Sequence, residues 1–267
     1  MYAFQYHRPV SVRQAAGLLA KKEEAKLLAG GQTLLPTMKQ RLASPDNLVD
    51  LGAVAELKGI VHKGRTIVIG AMSTHAEVAA SPAVQEAIPA LAALANNIGD
   101  PHVRNKGTIG GSVANNDPAA DYPAACLAMG ATIVTNRRKL EADAFFTGLY
   151  ETALEEGEIV TKVVFPIPSK AAYAKFPNPA SRYAMVGVCV AKRGADVRVA
   201  VTGAGDSGVF RWSEAEAALK ARFGTKSLDG LAAKAKGLNA DMHADAEYRA
   251  HLIGVMTRRA VAAATGK

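Results

Sequence analysis

Two glycine pairs are the residues whose type and spacing offer most chemistry. Gly30-Gly31 stands in "LLAGGQTLLPTMK" (27–39) and Gly110-Gly111 in "GTIGGSVANN" (107–116). Each pair follows a short apolar stretch and precedes small polar residues, Gln32-Thr33 in the first and Ser112 with Asn115-Asn116 in the second. Glycine permits positive φ and lets consecutive N–H groups converge into an anion-binding nest, to which hydroxyls or a helix start add donors. Two such loops can grip one pyrophosphate from opposite sides. Taken singly, each Gly-Gly reads first as a simple turn.

A third glycine set points elsewhere. Gly203, Gly205 and Gly208 form G-x-G-x-x-G after the strand-like "VRVAVTGA". A dinucleotide site needs a helix that opens within the motif and an acid ending the next strand. Here "VFRW" (209–212) intervenes before helical spacing resumes, and Asp229 sits in a helix-like stretch, so the motif is set aside. The six histidines show no H-E-x-x-H spacing. Cys126 and Cys189 lie far apart in apolar runs, which reads as buried thiols and no resident metal. No acid–base pair or activated nucleophile stands out.

The glycine loops need elements to hold them. "SVRQAAGLLAKK" has helical spacing behind a capping Ser11, "AKLLAGG" reads as a buried strand, and "TLLPTMKQRL" resumes helical spacing. "NLVDLG" and "TIVIGAM" read as strands, "HAEVAAS" and "AVQEAIPALAALANNIG" as helices, the latter interrupted at Pro89. Residues 99–123 are rich in Gly, Asn and Asp with little periodicity, which predicts a long functional loop. "AACLAMGA" continues as a helix and "ATIVT" and "EIVTKVVF" as strands. "PIPSKAAYAKFPNPASRY" (166–183) reads as a Pro-rich connection between domains. Beyond it come strands "MVGVCVAKR" and "DVRVAVTGA" and helices "WSEAEAALKARF", "LDGLAAKAK" and "DAEYRAHLIGVMTRRAVAAA", an α+β arrangement.

Bulk composition narrows the class. With 267 residues and 49% hydrophobic content, the chain can bury a real core, in one large domain or two modest ones. Lys and Arg number 32 against 24 Asp and Glu, a formal net charge of +8 that favours an anionic partner. Nucleic acid is disfavoured: the tightest basic cluster is "NRRK" (136–139), and aromatics make up only 6%. No signal-peptide pattern opens the chain, and no stretch approaches the roughly 20 apolar residues of a membrane span, so a cytoplasmic location is the expectation.

"AGGQTLLPTMK", "RNKGTIGGSVANNDPAADYPAACLAMGA", "FFTG" (145–148) and "AEYRAHLIGVMTRRA" together resemble the FAD-binding medium subunits of molybdenum hydroxylases, the family of aerobic carbon monoxide dehydrogenase and xanthine dehydrogenase. The resemblance runs over nearly the whole chain. It implies an α+β fold: an N-terminal FAD-binding domain of the vanillyl-alcohol oxidase and p-cresol methylhydroxylase type, then a smaller sheet-and-helix domain. The expected division is 1–172, in lobes of about 1–60 and 61–172, and 173–267. It implies that Ala29, Gly30, Gly31, Gln32, Thr33 and Leu34 in one loop, and Thr108, Ile109, Gly110, Gly111 and Ser112 in the other, hold the FAD pyrophosphate and ribose through backbone N–H groups.

By the same resemblance Asp121 contacts the adenosine ribose, although its position before "YPAACLAM" also suits a helix N-cap. Tyr183 falls where an aromatic lies against the flavin ring, with Arg182 and Lys175 as weaker candidates for charge at the reduced flavin. Many members carry His or Ser where this chain has Gln32 and Thr33. Polar donors are kept, so the departure bears on subgroup and substrate rather than on FAD.

The implied role is electron transfer, from 2Fe-2S clusters of a small subunit, fed by a molybdopterin-containing large subunit, to an external acceptor. The assembly implied is a dimer of heterotrimers. A self-sufficient FAD-dependent oxidase or reductase of the same fold is the alternative, and a non-catalytic anion-binding protein a third reading.

Overall fold

The computed structural model describes residues 1–266 and builds three layers of structure in chain order. The first lobe contains β1 (Gln5–His7), α1 (Val12–Lys21), β2 (Ala25–Leu28), α2 (Leu34–Lys39) and β3 (Asn47–Asp50). Its strands pair in parallel in the order β1-β3-β2. Central β3 buries Leu48 and Val49 on its two faces, as a strand covered on both sides must. Ser11 caps α1 by accepting the Gln14 N–H, 3.2 Å away.

The second lobe is an antiparallel five-stranded sheet. It comprises β4 (Ile60–Lys63), β5 (Thr66–Gly70), α3 (His75–Ala80), α4 (Pro82–Ala87), α5 (Pro89–Asn96), α6 (Pro101–Arg104), α7 (Ile109–Asn115) and α8 (Asp121–Met129). It continues with β6 (Thr132–Thr135), β7 (Lys139–Glu141), α9 (Ala142–Phe145), β8 (Phe146–Gly148), β9 (Glu151–Thr152) and β10 (Val160–Pro166). The sheet order is β4-β5-β10-β6-β7, with β8 and β9 as a separate ribbon. The expected long loop at 99–123 is therefore mostly helical. Its turns are set by side-chain caps rather than by periodicity: Asp100 accepts the Val103 N–H and Thr108 the Gly111 N–H.

The third unit is an antiparallel sheet of β11 (Lys170–Pro177), β12 (Ala184–Arg193), β13 (Asp196–Thr202) and β14 (Phe210–Arg211), with α10 (Ser213–Ala221) and α11 (Ala246–Thr265). The segment expected to be a Pro-rich connection thus contains a full edge strand, in register with β12 from Lys170↔Lys192 to Phe176↔Val186, with a bulge before Pro177↔Ala184. The expected division at 172/173 falls within this strand. The helix expected at 228–236 does not form. Only a 3-10 turn at Thr225–Leu228 appears, and Gly230 and Gly237 take φ of +76° and +82°, which a right-handed helix forbids.

The two larger units share a core. All nine residues of α8 are buried, because the helix lies between the second sheet and β12 and β13 of the third. Alternation along β12 explains the fit. Val186, Val188 and Val190 face the cluster under α10 and α11, whereas the smaller Cys189 and Ala191 join the cluster that includes α8. Asp143 ties the halves at the surface through Arg198 (2.7 Å) and Arg211 (3.1 Å).

One ion pair makes the second lobe acid-sensitive. Arg138 forks onto Glu158 (3.0 and 2.9 Å), and the Thr135 hydroxyl donates to the same carboxylate. These bonds, Arg138 first, draw the Glu158 carboxyl down to about 2. A carboxyl depressed on folding lends stability above its unfolded value of about 4.3 and loses it as the pH falls toward the folded one. Arg138→Ala is therefore expected to move the acid-unfolding midpoint to higher pH, read by circular dichroism.

Candidate functional site

The first glycine loop leaves β2 and enters α2. Gly31 sits at φ +71°, where a side chain would strain the backbone and press on Leu35. The carbonyls of Gly31 and Thr33 accept the Leu35 and Thr37 N–H groups and so start the helix. Among the described residues, the amides of Gly30, Gly31, Gln32, Thr33 and Leu34 find no partner in the protein. Five consecutive donors without acceptors form the nest the sequence suggested.

Gly30 is bare for a different reason than a ligand's approach. A Cβ there would collide with the Lys106 carbonyl oxygen and lie 2.7 Å from the Gly107 Cα. The first loop is packed directly on the backbone that leads into the second.

The second loop is used differently from expectation. Its amides are already spent: Ile109 N–H on the Ser73 carbonyl (3.1 Å), Gly110 on Ala71 (2.8 Å), Gly111 on the Thr108 hydroxyl (3.1 Å) and Ser112 on the Thr108 carbonyl (3.0 Å). Ile109 is fully buried in the core and does not reach the cavity. What the loop presents is a bare surface at Gly110-Gly111 and the Ser112 hydroxyl. A Cβ on Gly110 would stand 2.5 Å from that of Ala71, and one on Gly111 3.3 Å from that of Ala29. The two loops, about 80 residues apart in sequence, are thus in contact.

They wall one cavity of about 580 Å³, within the usual range for a cofactor-sized ligand. Ala29 through Leu34, Thr108, Gly110, Gly111, Ser112, Asp121 and Tyr183 all line it. The first loop gives it a row of free backbone donors, and the second its glycine wall and the Ser112 hydroxyl. That chemistry suits a dinucleotide diphosphate: acceptor oxygens meet unpaired N–H groups, and no side chain obstructs their approach.

The wall near Asp121 is polar and closed to water. Asp121 opens α8, with Ala120 at the capping position and no side-chain cap, so the N-cap reading is not realised. Instead its carboxylate accepts from the Tyr173 hydroxyl and pairs with Lys175 Nζ at 3.0 Å; Lys175 also donates to the Asn97 carbonyl (3.1 Å). Gly187 opposite leaves room for the Tyr173 hydroxyl. Burial raises the Asp121 carboxyl, with Lys175 and Tyr173 opposing the rise. Tyr173 and Lys175 both project from β11 at alternate positions. Sequence reading gave Lys175 little weight and missed Tyr173.

Tyr183 stands at the mouth, on the β11–β12 turn, and is 45% exposed. Arg182 beside it also lines the cavity, at φ +62°. Burial raises the Tyr183 phenol, as do the charges of Asp117 and Asp121. Asp121 and Tyr183 both line the cavity. Tyr150 donates to Asp117 (3.2 Å) beside them, its phenol pushed up to about 12 by burial first and Asp117 second.

His75 is a wall residue that sequence reading passed over. It is the first residue of α3, behind a capping box in which Thr74 and Glu77 satisfy each other's backbone N–H, and "THAE" was the available signal. Burial, then Arg104, pushes its imidazole down to about 4. His75 accordingly stays neutral, and stability is lost as the pH falls from about 6.5 toward that value. In NMR titrations the His75 ring is expected to keep neutral-imidazole shifts down to about pH 5, where an unburied ring is already protonated.

The G-x-G-x-x-G loop stands apart from a nucleotide. The Gly203 N–H donates to the Pro118 carbonyl (2.8 Å) and the Thr202 hydroxyl to that of Ala120 (2.7 Å), which moors the third sheet to the segment before Asp121. β14, not a helix, follows it. Among the described residues no three His, Cys, Asp or Glu side chains converge as a metal set, and no helix is long and apolar enough to cross a membrane.

Residues 2–168 match the family described as the FAD binding domain in molybdopterin dehydrogenase, and residues 171–264 the CO dehydrogenase flavoprotein C-terminal domain. The carbon monoxide dehydrogenase medium chain of Hydrogenophaga pseudoflava is 37% identical, over 98% of this chain and 96% of that one. The nicotine 6-hydroxylase medium subunit of Paenarthrobacter nicotinovorans is likewise 37% identical, over 97% and 96%. Among solved structures, carbon monoxide dehydrogenase from Hydrogenophaga pseudoflava superposes with a TM-score of 0.89 at 38% identity, covering 99% of this chain and 98% of that one. Quinoline 2-oxidoreductase from Pseudomonas putida 86 does so at 0.88 and 28%, with the same coverage.

Proposed function

This chain belongs to the FAD-binding medium subunits of the molybdenum hydroxylases, and from that premise we propose that it is the electron-transfer subunit of such a complex. It is an oxidoreductase subunit whose cofactor is FAD. In the proposed reading it takes electrons from the 2Fe-2S clusters of a small partner subunit and passes them to an external acceptor. Substrate oxidation takes place in a large subunit with a molybdopterin cofactor.

The observation that carries this reading is the row of unpartnered amides from Gly30 to Leu34, facing a cavity whose other wall is the bare Gly110-Gly111 surface. Ala29 to Leu34 hold the diphosphate of FAD, and Gly110 and Gly111 with Thr108 and the Ser112 hydroxyl bound it on the far side. Ile109 supports that wall from the core. Tyr183 would offer its ring as a stacking face to the flavin. Asp121 lines the same cavity, and its contact with the adenosine ribose, implied by the resemblance, stays part of the proposal.

Bound there, FAD supplies the two-electron store and the one-electron steps that a chain of clusters requires. The protein's task is then binding, orientation and electrostatics. Of its polar groups, Lys175 and Tyr173 fix the Asp121 carboxylate, and neutral His75 adds no charge to the wall. No proton need be abstracted from a substrate in this subunit, which accords with the lack of an acid–base pair.

The test is isolation of the chain from its native source under gentle conditions. A yellow protein that releases FAD on denaturation, with companions containing molybdopterin and 2Fe-2S clusters, is the expected result. Turnover of an organic substrate by the purified chain alone would overturn the subunit reading in favour of a self-sufficient flavoenzyme.

A further inference from the structure

The N-terminal edge of the molecule has a surface that the cofactor site does not explain. β1 pairs with β3 on one side only, and its other edge is open. At alternate positions leading into it stand Tyr2, Phe4 and Tyr6, with Tyr2 and Tyr6 each 54% exposed. Leu42, just past α2, is 75% exposed, and Met1 also faces solvent. The edge itself is short, three residues followed by Arg8-Pro9, but the aromatics along it form an exposed apolar patch of the kind that marks an interaction surface.

Two details indicate an ordered surface. The Arg41 guanidinium lies over the Tyr2 ring, 5.4 Å from its centroid, and holds the first residues against the end of α2. Arg41 does so from φ +62°, a left-handed conformation that costs a non-glycine residue energy and persists where surroundings enforce it. The Tyr6 hydroxyl is anchored on the Asp50 carboxylate.

The first lobe is basic on balance. Residues 1–50 carry seven Lys and Arg against four Asp and Glu, a formal +3, with Asp50 already engaged by Tyr6. Arg8 follows the aromatics in sequence and is close enough to Tyr6 to act on its phenol, while Lys39 and Arg41 precede Leu42 and Arg41 reaches the Tyr2 ring. Tyrosine, phenylalanine, methionine and arginine are the residues enriched at the centres of protein interfaces.

We infer that the β1 edge, with Tyr2, Phe4, Tyr6 and Leu42 at its centre and Arg8 and Arg41 at its rim, docks a partner polypeptide. The partner's contacting face is apolar in the middle and acidic around it. The inference rests on the medium-subunit reading, because it assigns the surface to a companion in that complex. An extended strand with a backbone edge to pair suits a protein, whereas a lipid surface is met by an amphipathic helix.

The experiment uses the complex purified with its native companions. In the variant Tyr2→Ser, Phe4→Ser, Leu42→Ser the FAD-to-protein ratio is expected to stay at the wild-type value, which reports an intact fold. Affinity for one companion is expected to fall by roughly 100-fold or more. Arg8→Glu with Arg41→Glu is expected to slow association and to flatten its salt dependence.

Native mass spectrometry showing both variants fully assembled, with wild-type salt dependence, would overturn the inference while leaving the FAD subunit reading intact. Flotation of the assembled wild-type complex with phosphatidylserine vesicles, abolished by the same substitutions, would also overturn it and give the patch to a membrane surface. A wild-type chain that holds FAD and has no companions would instead remove the reading on which the inference stands.

Discussion

Gly30→Ala is expected to strip the protein of FAD. The added methyl would occupy space held by the Lys106 carbonyl and the Gly107 Cα, backbone atoms with no rotamer to yield. Overpacking of this kind costs about 1–3 kcal/mol, and here it must separate the two loops that wall the cavity. Since about 1.4 kcal/mol is tenfold, FAD affinity should fall by roughly 10- to 100-fold. Visible flavin absorbance after gel filtration reads it out. Gly17→Ala supplies the contrast: nothing lies within 4 Å of its new methyl, and the site is inside α1. That variant should keep FAD and gain up to about 1 kcal/mol. Equal FAD retention by both variants would mean that the loops do not depend on their contact.

Lys175→Met is expected to destabilise the chain by about 3–5 kcal/mol, because it leaves the Asp121 carboxylate buried without its cation. Lys175 and Asp121 are each at least 95% shielded, so solvent cannot substitute. The pH dependence has a definite sign. In the variant Asp121 holds a proton more tightly folded than unfolded, where its value is about 3.9. The deficit is therefore smallest in acid and grows as the pH rises through the raised folded value. Adding Asp121→Leu to Lys175→Met should recover most of the loss, since an apolar pair of similar volume needs no desolvated charge. Urea unfolding of the four proteins at two pH values measures all of this, and a deficit independent of pH would exclude the ion-pair account.

The two glycine loops that wall the cavity were legible in the sequence because their information is local. Gly-Gly after an apolar strand, followed by polar residues, marks a turn with converging donors, and Gly30 to Leu34 carry those donors. The division of labour between the loops was not legible. Which amides are spent depends on Ala71 and Ser73, carbonyls on a neighbouring segment that no local pattern identifies.

The helices at 101–104 and 109–115 were hidden because glycine and asparagine erase apolar periodicity. Their caps were nonetheless present in Asp100-Pro101 and Thr108. β11 was hidden by alanines and prolines. Its two faces serve different neighbours: Ala174 and Phe176 pack toward the cluster under α11, and Tyr173 and Lys175 reach Asp121. The helix at 228–236 failed in the opposite sense, its alanine and lysine content favouring a form that Gly230 and Gly237 forbid. Exposed Tyr2, Phe4 and Leu42 were invisible by nature, because burial is a property of the assembled molecule.

Gly203 and Thr202 moor the third sheet to Pro118 and Ala120, and β11 lends Lys175 and Tyr173 to a carboxylate from the second. The seam between the two matched families therefore crosses the wall of the cavity instead of skirting it. Chimaeras that exchange C-terminal halves among relatives must carry Asp121 and Lys175 as a co-inherited couple. A graft that splits them delivers an orphaned charge into the dry wall, however well each half folds in its parent.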